Sequence, residues 1–212
     1  MSATLIVIAK QPVPGRVKTR LVPPLTHEQA AAVAGAALTD TLDVIANTPA
    51  RQRILAFAGD ARAWLPAGWT LVRQVEGGLD ARLVAAFTAA GTSPALLVGM
   101  DTPQLLPHHL TRFDSDSYDA CLGLAPDGGY WVIGFRDPRL AAASITGVPM
   151  SRSDTGRIQL GRLRALGLRV QLLDHLVDVD TIDDAHTVAT AAPHSRFAGA
   201  LATALAPMAQ AG

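Results

Sequence analysis

Residues 5–21 read LIVIAKQPVPGRVKTRL and decide the fold class. The apolar run at residues 5–9 is short, rich in β-branched residues and followed by a charged, proline-rich loop. Such a run is typical of a strand buried on both faces, as in the centre of a parallel sheet. After the loop, Thr26 and Gln29 have the capping-box spacing of a helix start. We therefore predict a central strand, a loop and a helix over residues 27–46.

Strands and helices alternate along most of the remaining chain. Apolar and β-branched runs predict the strands, and amphipathic runs predict the helices between them. The predicted strands are residues 53–58, 70–73, 95–99 and 168–173, and the predicted helices are residues 61–65, 79–90 and 155–166, with two alanine-rich helices near the C-terminus. This alternation predicts an α/β fold with a mostly parallel sheet and helices on both faces.

One segment departs from this alternation. Two strand-like runs within residues 119–135 flank residues 125–129, APDGG, a sequence suited to a hairpin-like reversal. The segment predicts an antiparallel element in a mixed sheet. The sequence shows neither an internal repeat nor a linker-like stretch, so we expect one domain over residues 1–212.

Composition limits the classes of function. Lys plus Arg number 18 and Asp plus Glu number 18, so no net charge draws the protein to nucleic acid or to a membrane. No run approaches the roughly 18 apolar residues that a bilayer span needs. The single cysteine, Cys121, lies in an apolar stretch and indicates a buried thiol in a reducing compartment. We expect a cytoplasmic protein that binds neither nucleic acid nor membrane.

The loop after the first strand carries four cations, Lys10, Arg16, Lys18 and Arg20, and one glycine, Gly15. In an open α/β sheet, ligands bind outside the carboxyl ends of the strands, which is where this loop begins. Gly15 lets the backbone approach an anion closely, and the alternating cations can converge on a polyphosphate. The loop is not a Walker A motif, because it lacks that motif's first glycine. It predicts a phosphate site, and the alternative is a solvated basic loop.

Asp101 directly follows the predicted strand at residues 95–99. A carboxylate at this strand end points into the same crevice as the basic loop. Magnesium prefers one or two carboxylates together with waters and substrate phosphates, so Asp101 is a candidate metal ligand. The alternative is that Asp101 or Thr102 is the N-cap of a following helix.

A second acidic segment contains Asp178 and Asp180 on either side of Val179. In a strand-like stretch the side chains alternate, so both carboxylates would face one side and could share a cleft with the first acidic segment. Thr181 and Asp184 also have capping-box spacing, and the alternative is a simple helix start. We expect one of the two carboxylates to complete the metal site.

The segment Asp127, Gly128, Gly129 and Tyr130 is a candidate acceptor-binding site. Its glycines leave room for a base or an acceptor to approach the backbone, and the alternative is that they only form a tight turn. The six histidines show no metal-type spacing, and there is no Gly-x-Ser-x-Gly motif. Metal-hydrolase and acyl-transfer chemistry are therefore disfavoured.

Taken in order, these segments resemble the bacterial DUF2064 family, also called selenodomain-associated transferase 1. They are also similar, more distantly, to phospholactate guanylyltransferases and molybdopterin guanylyltransferases. The matching pieces, which together span nearly the whole chain, are AKQPVPGRVKTRL, GLDARL, GMDTPQL, APDGGYWVIGF and VDVDTIDDA. The resemblance implies a three-layer α/β/α, GT-A-like (nucleotide-diphospho-sugar transferase) fold that binds nucleoside triphosphates or nucleotide sugars.

The resemblance also implies roles for individual residues. The metal would be bound by Asp101 with Asp180, which is favoured over Asp178. The nucleotide-binding residues would be Ala9, Lys10, Gly15, Arg16, Lys18, Arg20 and Arg82. Where the family commonly has Leu-Gly-Glu-Arg, residues 79–82 read LDAR. The family's glutamate is therefore replaced by Ala81, and its arginine is retained as Arg82.

These features predict a metal-dependent nucleotidyltransferase that uses Mg²⁺ or Mn²⁺. An acceptor phosphate or hydroxyl would attack the α-phosphorus of a nucleoside triphosphate in line and release pyrophosphate, chemistry that depends on positioning and charge neutralisation. We expect Lys18, Arg16 and Asp101 to be the catalytic residues, with a small molecule as the acceptor. The alternatives are a glycosyltransferase with a nucleotide-sugar donor and a catalytically degenerate nucleotide-binding protein. A homodimer is left open.

Overall fold

The computed structural model describes residues 3–206 of the protein. Seven strands of this described part form one sheet. They are β1 (Thr4–Lys10), β2 (Gln52–Ala58), β3 (Thr70–Arg73), β4 (Ala95–Val98), β5 (Ala120–Leu124), β6 (Tyr130–Phe135) and β7 (Val170–Leu173). Their order in the sheet is β3-β2-β1-β4-β6-β5-β7. Strand β6 is antiparallel to both of its neighbours, and every other pairing is parallel.

The helices are α1 (His27–Asn47), α2 (Leu79–Thr88), α3 (Pro107–Thr111), α4 (Ala141–Ile145), α5 (Thr155–Ala165), α6 (Ile182–Ala191) and α7 (Arg196–Leu205). Helix α1 begins at the predicted capping box. The Thr26 hydroxyl accepts from the backbone N–H of Gln29 at 3.2 Å, and the Gln29 side-chain oxygen accepts from the backbone N–H of Thr26 at 2.7 Å. These bonds satisfy two donors that a helix start leaves without partners.

The core lies on both faces of the sheet. Leu5 and Val7 of β1 pack in one buried cluster with residues of α1, and Ile6 packs in another with residues of α2. This division follows from the alternation of side chains along a strand. On the second face, the rings of Phe87 and Phe135 meet edge to face at 5.0 Å. A third cluster joins α1 to α6 and α7. The predicted three-layer α/β/α architecture with a mixed, mostly parallel sheet is confirmed.

One predicted element is wrong, and one strand-like segment lies outside the sheet. Residues 61–65 form turns rather than a helix, because Pro66 follows and disfavours a helical conformation in the residue before it. Residues 177–181 pair with no strand of the sheet. The backbone N–H of Val179 instead donates to the carbonyl of Asp101 at 2.9 Å.

Three remaining expectations have different outcomes. Cys121 is fully buried, as predicted, and burial raises the pKa of its thiol. Within residues 3–206, every helix is too short or too polar to cross a bilayer. That one domain covers residues 1–212 stays a prediction.

Candidate active site

A cavity of about 830 Å³ opens at the carboxyl ends of β1 and β4. In the sheet, β1 has the next strand of the chain, β2, on one side and β4 on the other side. The carboxyl ends of β1 and β4 therefore form a topological switch point, the place where open α/β sheets bind ligands. The cavity lies where the sequence places the basic loop and the acidic residues.

Most of the predicted site residues line this one cavity. They are Ala9, Lys10, Lys18, Arg20, Arg82, Asp101, Asp127, Gly129, Tyr130, Asp178 and Asp180. The structure does not bring Gly15, Arg16 or Gly128 into the lining. Arg16 is exposed, and its backbone carbonyl accepts a hydrogen bond from Nζ of Lys10 at 3.1 Å.

Lys18 joins the basic loop to both acidic segments. Its Nζ lies 3.0 Å from Oδ2 of Asp101 and 3.3 Å from Oδ1 of Asp180, and its side chain is only 10% exposed. Burial alone would lower the pKa of the ammonium, but attraction to the two carboxylates outweighs that effect and the pKa is raised. Lys18 is therefore a charged group at neutral pH, held between two carboxylates.

The backbone at two cavity positions adopts a conformation that side chains disfavour. Within residues 3–206, the non-glycine residues with positive φ are Lys18, at 46°, and Ser151, at 58°. Both line the cavity. This left-handed region costs a residue with a side chain roughly 1–2 kcal/mol, so it persists only where the surroundings enforce it. Such residues cluster at functional sites, which supports a functional constraint on this cavity.

The two acidic segments are held together by backbone and amide hydrogen bonds. Besides the bond from Val179 to Asp101, the side-chain amide of Gln104 donates to the carbonyl of Val177 at 2.7 Å. Val179 is buried in the third cluster, and the residues on either side of it, Asp178 and Asp180, line the cavity. The alternation expected of a strand is thus present although no strand pairing forms.

The helix-cap alternatives have opposite outcomes. Thr181 and Asp184 do form a capping box at the start of α6, where the Thr181 hydroxyl accepts from the Asp184 N–H at 3.3 Å. Capping by these residues leaves the two preceding carboxylates free to face the cavity. Asp101 and Thr102 cap no helix, because α3 begins at Pro107 and its N-cap is Leu106.

The carboxylates of the cavity repel one another. The pKa of Asp178 is raised to about 7, first by burial and then by repulsion from Asp101, Asp127 and Asp180, while Lys18 opposes the shift. The ionised form of Asp178 is therefore disfavoured in this cavity.

The turn at residues 125–129 is locked to the loop before α5. The N–H of Gly156 donates to the carbonyl of Gly128 at 2.7 Å, and a Cβ on Gly128 would lie 1.8 Å from the carbonyl oxygen of Ser153. Gly128 also has φ of 91°, so both contact and conformation require glycine here. Its neighbour Asp127 accepts from the N–H of Gly129 at 2.8 Å. Gly128 thus positions the turn, while Asp127 and Gly129 line the cavity.

The loop before α5 and Gln74 were missed by sequence reasoning. The loop contributes Met150, Ser151, Arg152 and Ser153 to the lining. Nε2 of Gln74 donates to the carbonyls of Ala9, at 2.8 Å, and Ala56, at 3.0 Å. Because carbonyls only accept, both amide hydrogens are used and Oε1 remains as an acceptor for a ligand. Neither the loop nor Gln74 carries a motif that would have identified it.

The LDAR segment begins α2 beside the cavity. Arg82 lines the cavity, and its Nε is buried without a hydrogen-bond partner among residues 3–206. Asp80 accepts instead from the backbone N–H of Gly147 at 3.0 Å. Ala81, where the family commonly has glutamate, is exposed and is not part of the lining.

Comparisons with solved structures identify the fold. A protein of Desulfovibrio desulfuricans G20, proposed to be a nucleotide-diphospho-sugar transferase, is 28% identical with a TM-score of 0.86, over 96% of this chain and 95% of that chain. Rv0371c of Mycobacterium tuberculosis H37Rv, solved in complex with manganese, is 24% identical with a TM-score of 0.55, over 89% and 98% of the two chains. CMP:2-keto-3-deoxy-manno-octonic acid synthetase, solved with CTP, is 12% identical with a TM-score of 0.58, over 91% and 99%.

Comparisons of sequence identify the family. No curated protein matches the chain. The model of a family described as uncharacterized proteins conserved in bacteria, DUF2064, matches residues 31–152, which is more than half of the 212 residues. The chain therefore belongs to the DUF2064 family, and its fold is GT-A-like.

Proposed function

We propose that this protein is a metal-dependent nucleotidyltransferase. It transfers a nucleoside monophosphate from a nucleoside triphosphate to a small phosphorylated or hydroxyl acceptor and releases pyrophosphate. The observation that supports this most is the position of Lys18, buried at a sheet switch point between Asp101 and Asp180. A cation and two carboxylates in one cavity are what binding a polyphosphate with a divalent metal requires.

The cations that line the cavity would bind the phosphates. Lys18 is the best placed, because it is buried and converges with the acidic residues. Lys10, Arg20 and Arg82 also line the cavity. Arg16 is a weaker candidate for phosphate binding, since it is exposed and does not line the cavity.

The donor atoms fit Mg²⁺ or Mn²⁺. Asp101 and Asp180 would hold the ion, with Asp178 beside them, and carboxylate oxygens are the ligands that these ions prefer. Burial and then repulsion from neighbouring carboxylates raise the pKa of Asp178, and a divalent cation would relieve the repulsion. In the described part of the chain, no three His, Cys, Asp or Glu side chains form a metal site by themselves. That agrees with an ion completed by phosphates and waters, and Rv0371c, of the same fold, was solved with manganese.

The chemistry is an in-line substitution at the α-phosphorus. An acceptor oxygen forms a bond to the α-phosphorus, the bond from that phosphorus to the bridging oxygen of the β-phosphate breaks, and pyrophosphate leaves. A hydroxyl acceptor gives its proton to a cavity carboxylate such as Asp127, whereas a phosphate acceptor has none to give. Lys18 stabilises the charge that develops on the transferred and leaving groups. A bound divalent ion would supply further charge neutralisation.

A glycosyltransferase with a nucleotide-sugar donor is the second candidate. The similarity to the Desulfovibrio protein proposed to be a nucleotide-diphospho-sugar transferase favours it. The buried Lys18 favours the triphosphate, since it has less to neutralise in a donor with two phosphates. A degenerate binding protein is disfavoured because the cavity contains both cations and carboxylates although Ala81 stands where the family commonly has glutamate.

Thermal-shift measurements with nucleoside triphosphates and with nucleotide sugars, each with Mg²⁺ or Mn²⁺, separate these functions. A ligand at 100 times its dissociation constant adds about 2.7 kcal/mol to stability. We expect stabilisation by a triphosphate with metal, followed by pyrophosphate release when acceptors are added, detected by ³¹P NMR. Stabilisation by nucleotide sugars alone would favour the glycosyltransferase, and metal-independent binding without turnover would favour the degenerate protein.

A further inference from the structure

We propose that Lys18 is an internal counter-ion that occupies the Asp101 and Asp180 carboxylates until a triphosphate draws it away. A divalent ion then binds these carboxylates tightly only together with a polyphosphate. The ligand of the cavity is accordingly a metal–triphosphate complex rather than free metal followed by nucleotide. This inference rests on the metal and nucleotide sites of the proposed function and adds their coupling.

The ammonium stands where a metal ion would stand. It contacts one oxygen of each carboxylate, Oδ2 of Asp101 and Oδ1 of Asp180, at 3.0 and 3.3 Å. The carboxylates themselves are 36% and 37% exposed, so they are open to the cavity, whereas the lysine side chain is 10% exposed. The pair therefore already has a cation, placed on the side away from solvent.

A divalent ion and the ammonium exclude one another at this site. Any ion that binds the same carboxylates comes within a few ångströms of Nζ of Lys18, and like charges this close repel. Arg20 adds to the repulsion, because its Nη1 lies 3.5 Å from Oδ2 of Asp180. Free metal should accordingly bind weakly although two carboxylates are available.

A triphosphate removes this obstacle because its oxygens offer the ammonium another anionic partner. A lysine side chain is flexible, so the exchange needs only a rotation of the Lys18 side chain. Metal and nucleotide therefore favour each other's binding, and the coupling must be the same in both directions. Coupling between two sites typically changes affinity about 5- to 150-fold.

The test is the affinity for Mn²⁺ with and without nucleotide, measured from the EPR signal of the free ion. The variants are Lys18→Met, which removes the charge and keeps most of the side-chain length, and Arg164→Met as the control. Arg164 is an exposed cation of α5 that does not line the cavity. The nucleotide probes are the unreactive α,β-methylene analogues of ATP, GTP, CTP and UTP.

Without nucleotide, we expect Lys18→Met to bind Mn²⁺ about 5- to 150-fold more tightly than the wild type, in the range of such couplings. Arg164→Met should match the wild type. With one of the analogues, the wild type should gain Mn²⁺ affinity and Lys18→Met should gain much less. Equal or weaker Mn²⁺ binding by Lys18→Met without nucleotide would overturn the inference, as would a wild-type affinity that no analogue changes.

Two further results keep this inference apart from the proposed function. If Lys18→Met does not fold, Lys18→Gln, which is neutral but can still donate to the carboxylates, replaces it. If neither variant folds, the wild-type measurement with the analogues decides alone. If the wild type releases pyrophosphate but Lys18→Met does not bind Mn²⁺ more tightly than the wild type, the counter-ion role is overturned and the proposed function stands. If Lys18→Met binds Mn²⁺ more tightly but the wild type turns over no triphosphate, the result supports the counter-ion role and counts against the proposed function.

Discussion

Strands β1 and β4 have a cavity at each end, and the two cavities differ in chemistry. The one at their carboxyl ends measures about 830 Å³ and is lined by lysine, arginine and aspartate side chains. The one at their amino ends measures about 380 Å³, and its lining within residues 3–206 contains no charged side chain. It consists of Ala3, Leu5, Thr48, Pro49, Leu96, Leu110, Thr111, Phe113 and Ser115.

The difference separates what the fold needs from what function needs. Both cavities are built on the same buried strands, so the architecture tolerates an uncharged lining. Partly buried charges cost free energy unless they are paired, and burial, followed by repulsion from neighbouring carboxylates, raises the pKa of Asp178. Stability alone would therefore not keep these charges together, and we infer that ligand binding does.

The largest effect should come from removing the central cation. Lys18→Ala should lower turnover about 10²- to 10³-fold, the usual result of removing one group that stabilises charge in the transition state. The measurement is pyrophosphate release at saturating metal and nucleotide. Thr111→Ala, in the cavity at the amino ends, is the control and should leave turnover unchanged. Equal effects of the two substitutions would remove the distinction between the cavities.

A smaller effect, on stability, should come from the turn that closes the charged cavity. Gly128→Ala should lower the free energy of unfolding by about 2–4 kcal/mol, because the left-handed backbone and the overlap with Ser153 both oppose a side chain. Urea denaturation measures the change. Gly15→Ala is the matched control, with φ of 73° but no atom within 4 Å of the added Cβ, and should lose only about 1–2 kcal/mol. Similar losses would show that the contact with Ser153 is unimportant.

A third effect should be a pH dependence of stability without metal. The folded-state pKa of Asp178 is about 7 against an ordinary value of 3.8, so the folded protein keeps this proton between those pH values while the unfolded chain loses it. Stability therefore falls as the pH rises through this window. Asp178→Asn removes that loss, so its free energy of unfolding in EDTA should exceed that of the wild type at pH 8 and approach it near pH 4.

The control for this pH dependence is a carboxyl group whose contribution to stability changes with pH in the opposite direction. The pKa of Asp137 is lowered by its hydrogen bond to the Arg139 side chain, so its carboxylate stabilises the fold above its unfolded pKa and this contribution is lost in acid. Asp137→Asn should thus be less stable than the wild type at pH 8. A pH-independent difference for Asp178→Asn would contradict a raised pKa at that position.

Local patterns in the sequence predicted much of the fold. The apolar runs of β1 and β4 and the capping box at Thr26 are signals carried by neighbouring residues, and the structure confirms them. The alternation of Asp178 and Asp180 around a buried Val179 was also correct. The predicted helix at residues 61–65 is wrong because the proline after it disfavours a helical conformation in the preceding residue.

The parts of the site that could not be predicted depend on long-range contacts. Gln74 is oriented by carbonyls 65 and 18 residues away in the chain. The loop before α5 reaches the cavity because Gly128 lets it pack against the turn. The sequence indicates that Lys18 is a cation near a phosphate site, but its two carboxylate partners, the more distant of them 162 residues away, emerge only in the folded chain.

The most direct test of the account is a crystal structure with Mn²⁺ and an α,β-methylene triphosphate, with the metal located by anomalous scattering. We expect the anomalous peak at Asp101 and Asp180 and the triphosphate oxygens at Nζ of Lys18, in the cavity at the carboxyl ends. A metal or a nucleotide bound elsewhere, with Lys18 still paired to both carboxylates, would contradict it.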